Sequence, residues 1–240
     1  MAGLTVNLDQ IGVLRASGDG NVPDPVAAAV QAELAGASGI SVQLREDRSI
    51  IQDRDVRILK QTVQSDFILE MALTSEMVGV ALDVKPDRVT LVPDRTDSRG
   101  PQEGLDLILR KSDVAEAVAL FHSNGIPAGI LIDPDPDQVK LAHQIDARIV
   151  EIHTGRFSRA TSPVKREQIF ADIVDTVKFA HKLRMEVYAG RGLGYGSVGL
   201  FRDLSEIGHF RIGHSIVARA VLAGMETAVR DMLTIAGMRP

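Results

Sequence analysis

Several side chains able to move protons or grip anions fall inside short apolar runs or directly after them. Glu70 is set in "FILEMAL" (67–73), and Glu151 and His153 share "RIVEIHTG" (148–155). Asn7 and Asp9 close "LTVNLD" (4–9) with Gln10 just beyond, and Gln43 lies in "GISVQL" (39–44) with Arg45 and Glu46 just beyond. Arg191 follows "MEVYAG" (185–190) and is flanked by glycines, and His214 lies in "FRIGHSI" (210–216). Carboxylates and imidazoles are common general acids and bases. Guanidinium groups hold phosphate or carboxylate through paired hydrogen bonds. A single residue of this kind reads equally well as a buried group satisfied by its neighbours or as a helix cap. The set is harder to dismiss, because charges of both signs in apolar strands are costly unless paired or facing a cavity. Glu70, amid six apolar residues, is the sharpest case and is assigned to a cavity.

The elements that would position these groups follow from the patterning. With "RVTLVPD" (88–94) and "PAGILID" (127–133) the strand-like runs number eight, and each is followed by a segment of helical periodicity. Helices are expected at 24–36, 54–63, 75–85, 107–125, 136–146, 165–184 and 218–237, with a short one around 197–206. The first has Asp24 as N-cap, Pro25 at its first position and Gly36 just past its end. Near-continuous apolar strands between helices imply a parallel sheet covered on both faces. Eight such units in 240 residues predict a (β/α)8 barrel as a single domain spanning 1–240, with an open doubly wound sheet as the alternative. In a barrel the active site lies at the C-terminal strand ends, where these polar residues fall. The glycine-rich junctions 189–194 and 212–221 then sit where barrels often bind phosphate.

Composition narrows the partners. A net charge of -5 without a basic cluster argues against nucleic acid, and 4% aromatic residues supply few stacking platforms. No apolar run reaches the length that spans a bilayer, and the absence of cysteine makes the cytosol the simplest compartment. Of six histidines, His122, His143 and His181 fall in expected helices and His209 near the start of the last strand, leaving His153 and His214 at strand ends. No pair has metal-ligand spacing, so no zinc site is expected, although carboxylates could hold a hard cation.

"VNLDQIGVLR", "PDPVAAA", "VQLREDR", "DRDVRILKQT", "LEMA", "LVPD", "EGLD", "EIHTG", "AGRGL" and "IGHSIVARAV", in this order over residues 4 to 230, resemble the motifs of the pyridoxine 5'-phosphate synthase family. The resemblance implies a (β/α)8 barrel that condenses 1-deoxy-D-xylulose 5-phosphate with 3-amino-2-oxopropyl phosphate, closing a pyridine ring. It implies no metal or organic cofactor and a homo-octameric assembly. Asn7, Asp9, Arg45, Glu70, Glu151, His153, Gly192, Gly213 and His214 match the family's site positions. On that basis Glu70 is expected as general base with His153 and Glu151 as catalytic partners. Asn7, Asp9, Gln10, Gln43, Arg45 and Arg191 are expected to bind substrate, and Gly192, Gly213 and His214 its phosphate.

The departures from the pattern also lie in the site. Gln10, Gln43 and Arg191 stand where the family has histidine; Ile50 stands near a further family histidine, Gly18 near an arginine and Gly100 near a polar residue. Glutamine does not exchange a proton usefully, and arginine stays protonated. Losing two independent acid–base groups would cost roughly 10⁴ in rate. Arg191 is therefore read as a clamp for an anionic group of the ligand, with internal pairing to Glu151 or Asp9 as the alternative. Two functions remain open: an enzyme of the family type or acting on a related phosphorylated ketone or amine, and a phosphosugar-binding barrel without chemistry. The segment 94–104 is a candidate lid.

Overall fold

The computed structural model describes residues 2–18, 20–94, 96–97, 100–101 and 103–238, with backbone alone for 96–97 and 100–101. Eight parallel strands close into a barrel: Gly3–Asn7 (β1), Gly39–Leu44 (β2), Asp66–Ala72 (β3), Arg88–Val92 (β4), Ala128–Ile132 (β5), Ile149–His153 (β6), Glu186–Gly190 (β7) and His209–Ile212 (β8). Each pairs with its neighbour in sequence, and β1 closes the ring against β8 with Thr5 opposite Arg211. The open doubly wound alternative is thereby excluded. Around the barrel run Asp9–Ala16 (α1), Pro25–Leu34 (α2), Asp53–Thr62 (α3), Ser75–Val84 (α4), Leu107–Ser123 (α5), Pro136–Gln144 (α6), Gly155–Arg159 (α7), Pro163–Lys182 (α8), His214–Ala223 (α9) and Met225–Ile235 (α10). Asp24 caps α2 by accepting from the Val26 N–H, with Pro25 at the first turn.

Several boundaries differ from the sequence reading, and three of the differences have a clear local reason. The first strand stops at Asn7, and Asp9 opens α1, where its carboxylate meets the positive end of the helix. The last strand stops at Ile212, so His214 begins α9 instead of ending a strand. The helix expected over 218–237 is two helices broken at Gly224, whose φ of 82° suits glycine. Around 197–206 only a short 3₁₀ turn, Val198–Leu200, forms. Residues 96–97 and 100–101 pair as a small antiparallel hairpin. The candidate lid at 94–104 falls in part on residues 95, 98, 99 and 102, which lie outside the described residues.

Strand parity sorts the side chains. Leu4, Val6, Ile40, Val42, Phe67, Leu69, Val89, Leu91, Val150 and Ile152 face outward into one large core beneath the helices. The opposite parity faces the barrel interior, where Ile68, Ile149 and Tyr188 form a separate small apolar cluster. Beneath that cluster Arg88 joins Asp66 at 3.1 Å and Glu186 at 2.6 Å across the barrel. Above it lie Glu70, Thr90, Glu151 and Arg211. An interior of this polarity explains why single charges interrupt otherwise apolar strands.

Outside the barrel, Arg15 of α1 and Asp55 of α3 form a buried pair at 2.5 Å, and Arg15 also donates to the Ile50 carbonyl at 2.9 Å. Ile50 is a core residue. Burial raises the proton affinity of Asp55, but hydrogen bonds from Arg15 and the Gln52 N–H outweigh it and hold the carboxyl below its usual range. Its contribution to stability is therefore present above the unfolded value of 3.8 and is lost as pH falls below it. Arg15→Met leaves a buried carboxylate short of its principal cation, and we expect a loss of about 3 kcal/mol in urea unfolding at pH 7, with a smaller loss in the double variant Arg15→Met, Asp55→Asn. Equal losses in the two would mean that the packing of the arginine stem, and not its charge, matters.

Candidate active site

The site is assembled where β1, β2, β3, β6, β7 and β8 end. Asn7, the last residue of β1, folds back so that its Oδ1 accepts the Asp9 N–H at 3.1 Å. Its amide nitrogen donates to Asp9 Oδ2 and to Glu70 Oε1, both at 3.0 Å. Asp9 Oδ1 accepts the Gln43 N–H of β2 at 2.7 Å. One carboxamide therefore bridges two carboxyl groups, one at the start of α1 and one on β3.

Behind them lies a buried cluster of four charges. Glu70 and Glu151 are 0% and 1% exposed, and Arg211 is 4% exposed. Arg211 Nη1 donates to Glu151 Oε2 at 2.6 Å and stands 3.4 Å from Glu70 Oε1, while its Nη2 donates to Thr90 Oγ1 at 3.1 Å. Arg191 donates to Glu70 Oε2 and places its Nε 3.5 Å from Glu151 Oε1. Arg191 is thus paired internally with Glu151, as one of the two sequence readings held, and with Glu70 in addition. Its φ of 73° is left-handed, a conformation that costs a side-chain-bearing residue about 1–2 kcal/mol, and the ion pairs hold it there. Gly190 makes room for the arrangement, because a Cβ at that position would stand 2.4 Å from Glu151 Oε1.

These surroundings separate the carboxyl groups. Burial pushes Glu70 up, but Arg191 and Arg211 more than reverse it and lower its pKa to about 2. Glu151 is raised by burial, against the pull of Arg211 and Arg191. Asp9 is pushed up to about 6, first by burial and then by the charge of Glu70, with the Gln43 N–H, Asn7 and Arg191 acting in opposition.

A cavity of about 130 Å³ opens above the cluster. Asn7, Asp9, Gln10, Arg45 and Arg191 line it together with Gly192, Gly213 and His214. Gly192 continues the left-handed turn of Arg191 with φ 89°. A Cβ at Gly213 would stand 2.9 Å from both Asn7 oxygens, so only glycine lets β1 and the start of α9 approach so closely. The positive end of α9 and Arg45 suit this cavity to an anion, while Arg191 and Arg211, which also line it, are already paired with Glu70 and Glu151. A larger cavity of about 550 Å³ is lined by Glu103, Asp106, Asp133, Asp135, Asp172 and Asp175 with Arg156, and would repel phosphate.

Gln43, Glu70, Glu151 and His153 do not line the smaller cavity. Gln43 is buried with its Oε1 unpartnered, beside Glu70 in the strand register. His153 Nδ1 accepts the Gly155 N–H at 3.2 Å and lies 4.0 Å from Asp133. Among the described residues no group of three or more His, Cys, Asp or Glu side chains is arranged to hold a metal ion. Arg211 is the residue that the sequence reading missed. The signal in the sequence is the same as for Glu70, a lone charge in an apolar strand, here in "FRIGHSI".

The family model "Pyridoxal phosphate biosynthesis protein PdxJ" matches residues 4–237. A pyridoxine 5'-phosphate synthase of Syntrophobacter fumaroxidans is 47% identical over 98% of this chain and 99% of its own. One from Desulfatibacillum aliphaticivorans is 48% identical over 98% and 99%. Among solved structures, a phosphoribosylanthranilate isomerase from Thermotoga maritima superposes with a TM-score of 0.62 at 10% identity, covering 99% of both chains, a likeness of fold alone. Matched almost end to end by the family model and by relatives of the same length, the chain belongs to the Pyridoxal phosphate biosynthesis protein PdxJ family.

Proposed function

We propose that the protein is an enzyme of the pyridoxine 5'-phosphate synthase type, condensing 1-deoxy-D-xylulose 5-phosphate with 3-amino-2-oxopropyl phosphate or a closely related phosphorylated ketone and amine. The observation that carries this reading is the convergence of Asn7, Asp9, Arg45, Gly192, Gly213 and His214, all at the family's site positions, on one cavity. Family membership and identity of 47–48% over the full length of the relatives support it. Arg45, the backbone N–H groups at Gly192 and Gly213 and the start of α9 would hold a substrate phosphate beside His214. No metal or organic cofactor enters the reaction. A homo-oligomer in the cytoplasm, an octamer by family likeness, completes the proposal; among the described residues no helix is long and apolar enough to cross a membrane.

Glu70 takes a role set by its partners. Held ionised between Arg191 and Arg211, it stabilises positive charge developing on an imine nitrogen. It accepts a proton as general base only when Arg191 turns from Oε2 toward the ligand phosphate. Glu151 keeps Arg211 in place, and His153 supports the rim behind it. The second reading, a phosphosugar-binding barrel without chemistry, is favoured by the same ion pair, since Arg191 occupies the carboxylate that the reaction would use.

Two measurements decide between them. Purified protein given both family substrates at saturation is expected to form pyridoxine 5'-phosphate, detected chromatographically; its absence from folded protein would favour the binding reading. Glu70→Gln is expected to lower turnover by about 10² or more with ligand affinity unchanged. Tighter ligand binding in that variant, with no turnover in either form, would instead mark a binding protein.

A further inference from the structure

Three buried carboxyl groups meet at the barrel mouth, and they are not equivalent. Glu70 and Glu151 lie between Arg191 and Arg211. Asp9 makes no ion pair among the described residues; its two oxygens accept from the Gln43 N–H and from Asn7 Nδ2. It is also the one of the three that lines the cavity. Only 8% exposed, it is shielded from bulk water yet faces the space a ligand would fill. His214 lines the same space but is exposed, and Gln10 exchanges no proton.

We propose that Asp9 is the proton-carrying residue of this cavity, taking up a proton when an anionic substrate enters and giving it to the substrate's departing hydroxyl. This rests on the condensation reading. When the amine adds to the ketone, a carbinolamine forms. The Asp9 carboxylic acid gives its proton to the carbinolamine hydroxyl as the C–O bond breaks; the nitrogen lone pair closes the C=N bond and water leaves. The iminium then returns its N–H proton to the Asp9 carboxylate, so that carbinolamine becomes imine and water with the acid restored.

The charges around Asp9 favour this cycle. Glu70 on β3 faces it as an anion, Arg191 after β7 as a cation, and the Gln43 N–H of β2 and Asn7 of β1 as donors; Arg45, Arg211 and His214 complete the wall. Burial and Glu70 already bring its titration to about 6. A phosphate dianion placed in the same cavity adds a like charge and raises it further, so binding near neutrality draws a proton from solvent. Glu70 ionised and Asp9 protonated form an acid and base pair set apart by environment.

The test uses sulfate, an anion with no proton of its own to lose near neutrality. Calorimetric titration at pH 7 in two buffers of different ionisation enthalpy is expected to show uptake of roughly half a proton per sulfate bound. Asp9→Asn is expected to bind sulfate at least as tightly with uptake near zero. Failure of sulfate to bind, binding without uptake, or uptake unchanged in Asp9→Asn, which would put the proton on His214, each overturns the proposal. Should that variant not fold, the ¹³C signal of the Asp9 carboxyl in the wild-type protein gives the same answer: a midpoint near 6 that moves upward with sulfate is expected, and one near 4 overturns it. With both substrates, Asp9→Asn is expected to lower kcat about 10²-fold or more at unchanged KM. Absence of turnover in the wild type would overturn the condensation and the hydroxyl step with it, while proton uptake would still decide whether Asp9 titrates with the anion.

Discussion

Two carboxylates inside a barrel cannot both stay ionised without cations beside them, and that constraint organises this molecule. Glu70 and Glu151 come from strands on opposite sides of the mouth, and Arg191 and Arg211 are interleaved between them. The four charges sum to zero. Removing one member of such a cluster leaves a buried charge uncompensated, a loss of about 3–5 kcal/mol. The geometry that achieves neutrality reaches into the backbone. Gly190 is without a side chain so that Glu151 fits, and Arg191 adopts a left-handed φ so that its guanidinium turns inward. The turn at Gly192, which lines the cavity, thus inherits its shape from a requirement of charge compensation one residue earlier.

The barrel interior below repeats the solution on a smaller scale. Arg88 pairs with Asp66 and Glu186, His209 stacks on Tyr188, and Arg211 lies 5.4 Å over the Tyr188 ring from above. Barrel interiors are usually filled by layers of branched apolar side chains. Here a thin apolar layer of Ile68, Ile149 and Tyr188 separates two charged ones. Most of the apolar core is therefore outside the strands, under the helices, and the axis is left for electrostatics.

This arrangement explains what could be read from the sequence and what could not. The eight strands and most of their helices were legible because outward-facing residues are almost uniformly apolar; Glu70 was legible as an inward-facing charge, but it meets two guanidinium groups and not the cavity to which the sequence reading assigned it. The partner of Glu70 was harder. Arg191 was visible as a cation among glycines, but whether it faced a ligand or a carboxylate depends on a contact between residues 121 apart in sequence. Arg211 was legible in principle, since a cation in an apolar strand carries the same physical message as an anion, but its partners Glu151 and Thr90 lie 60 and 121 residues away in sequence. Asp9 was placed at a strand end and proved to be the first residue of a helix, since a strand of five residues already reaches the rim.

Arginine at position 191 acts on the proton balance of the whole site. A permanent cation on Glu70 keeps that carboxyl ionised, and an ionised Glu70 is, after burial, the principal cause of the raised proton affinity of Asp9. Arg191 also acts on Asp9 directly and in the opposite sense, but more weakly than Glu70 does. The net result is that proton affinity is moved from one carboxyl to another across the Asn7 bridge. Gln10 and Gln43 fit the same pattern, since neither competes for the proton and the Gln43 backbone supplies a hydrogen bond to Asp9. The titration of Asp9, brought to about 6, therefore depends on all the charges around it.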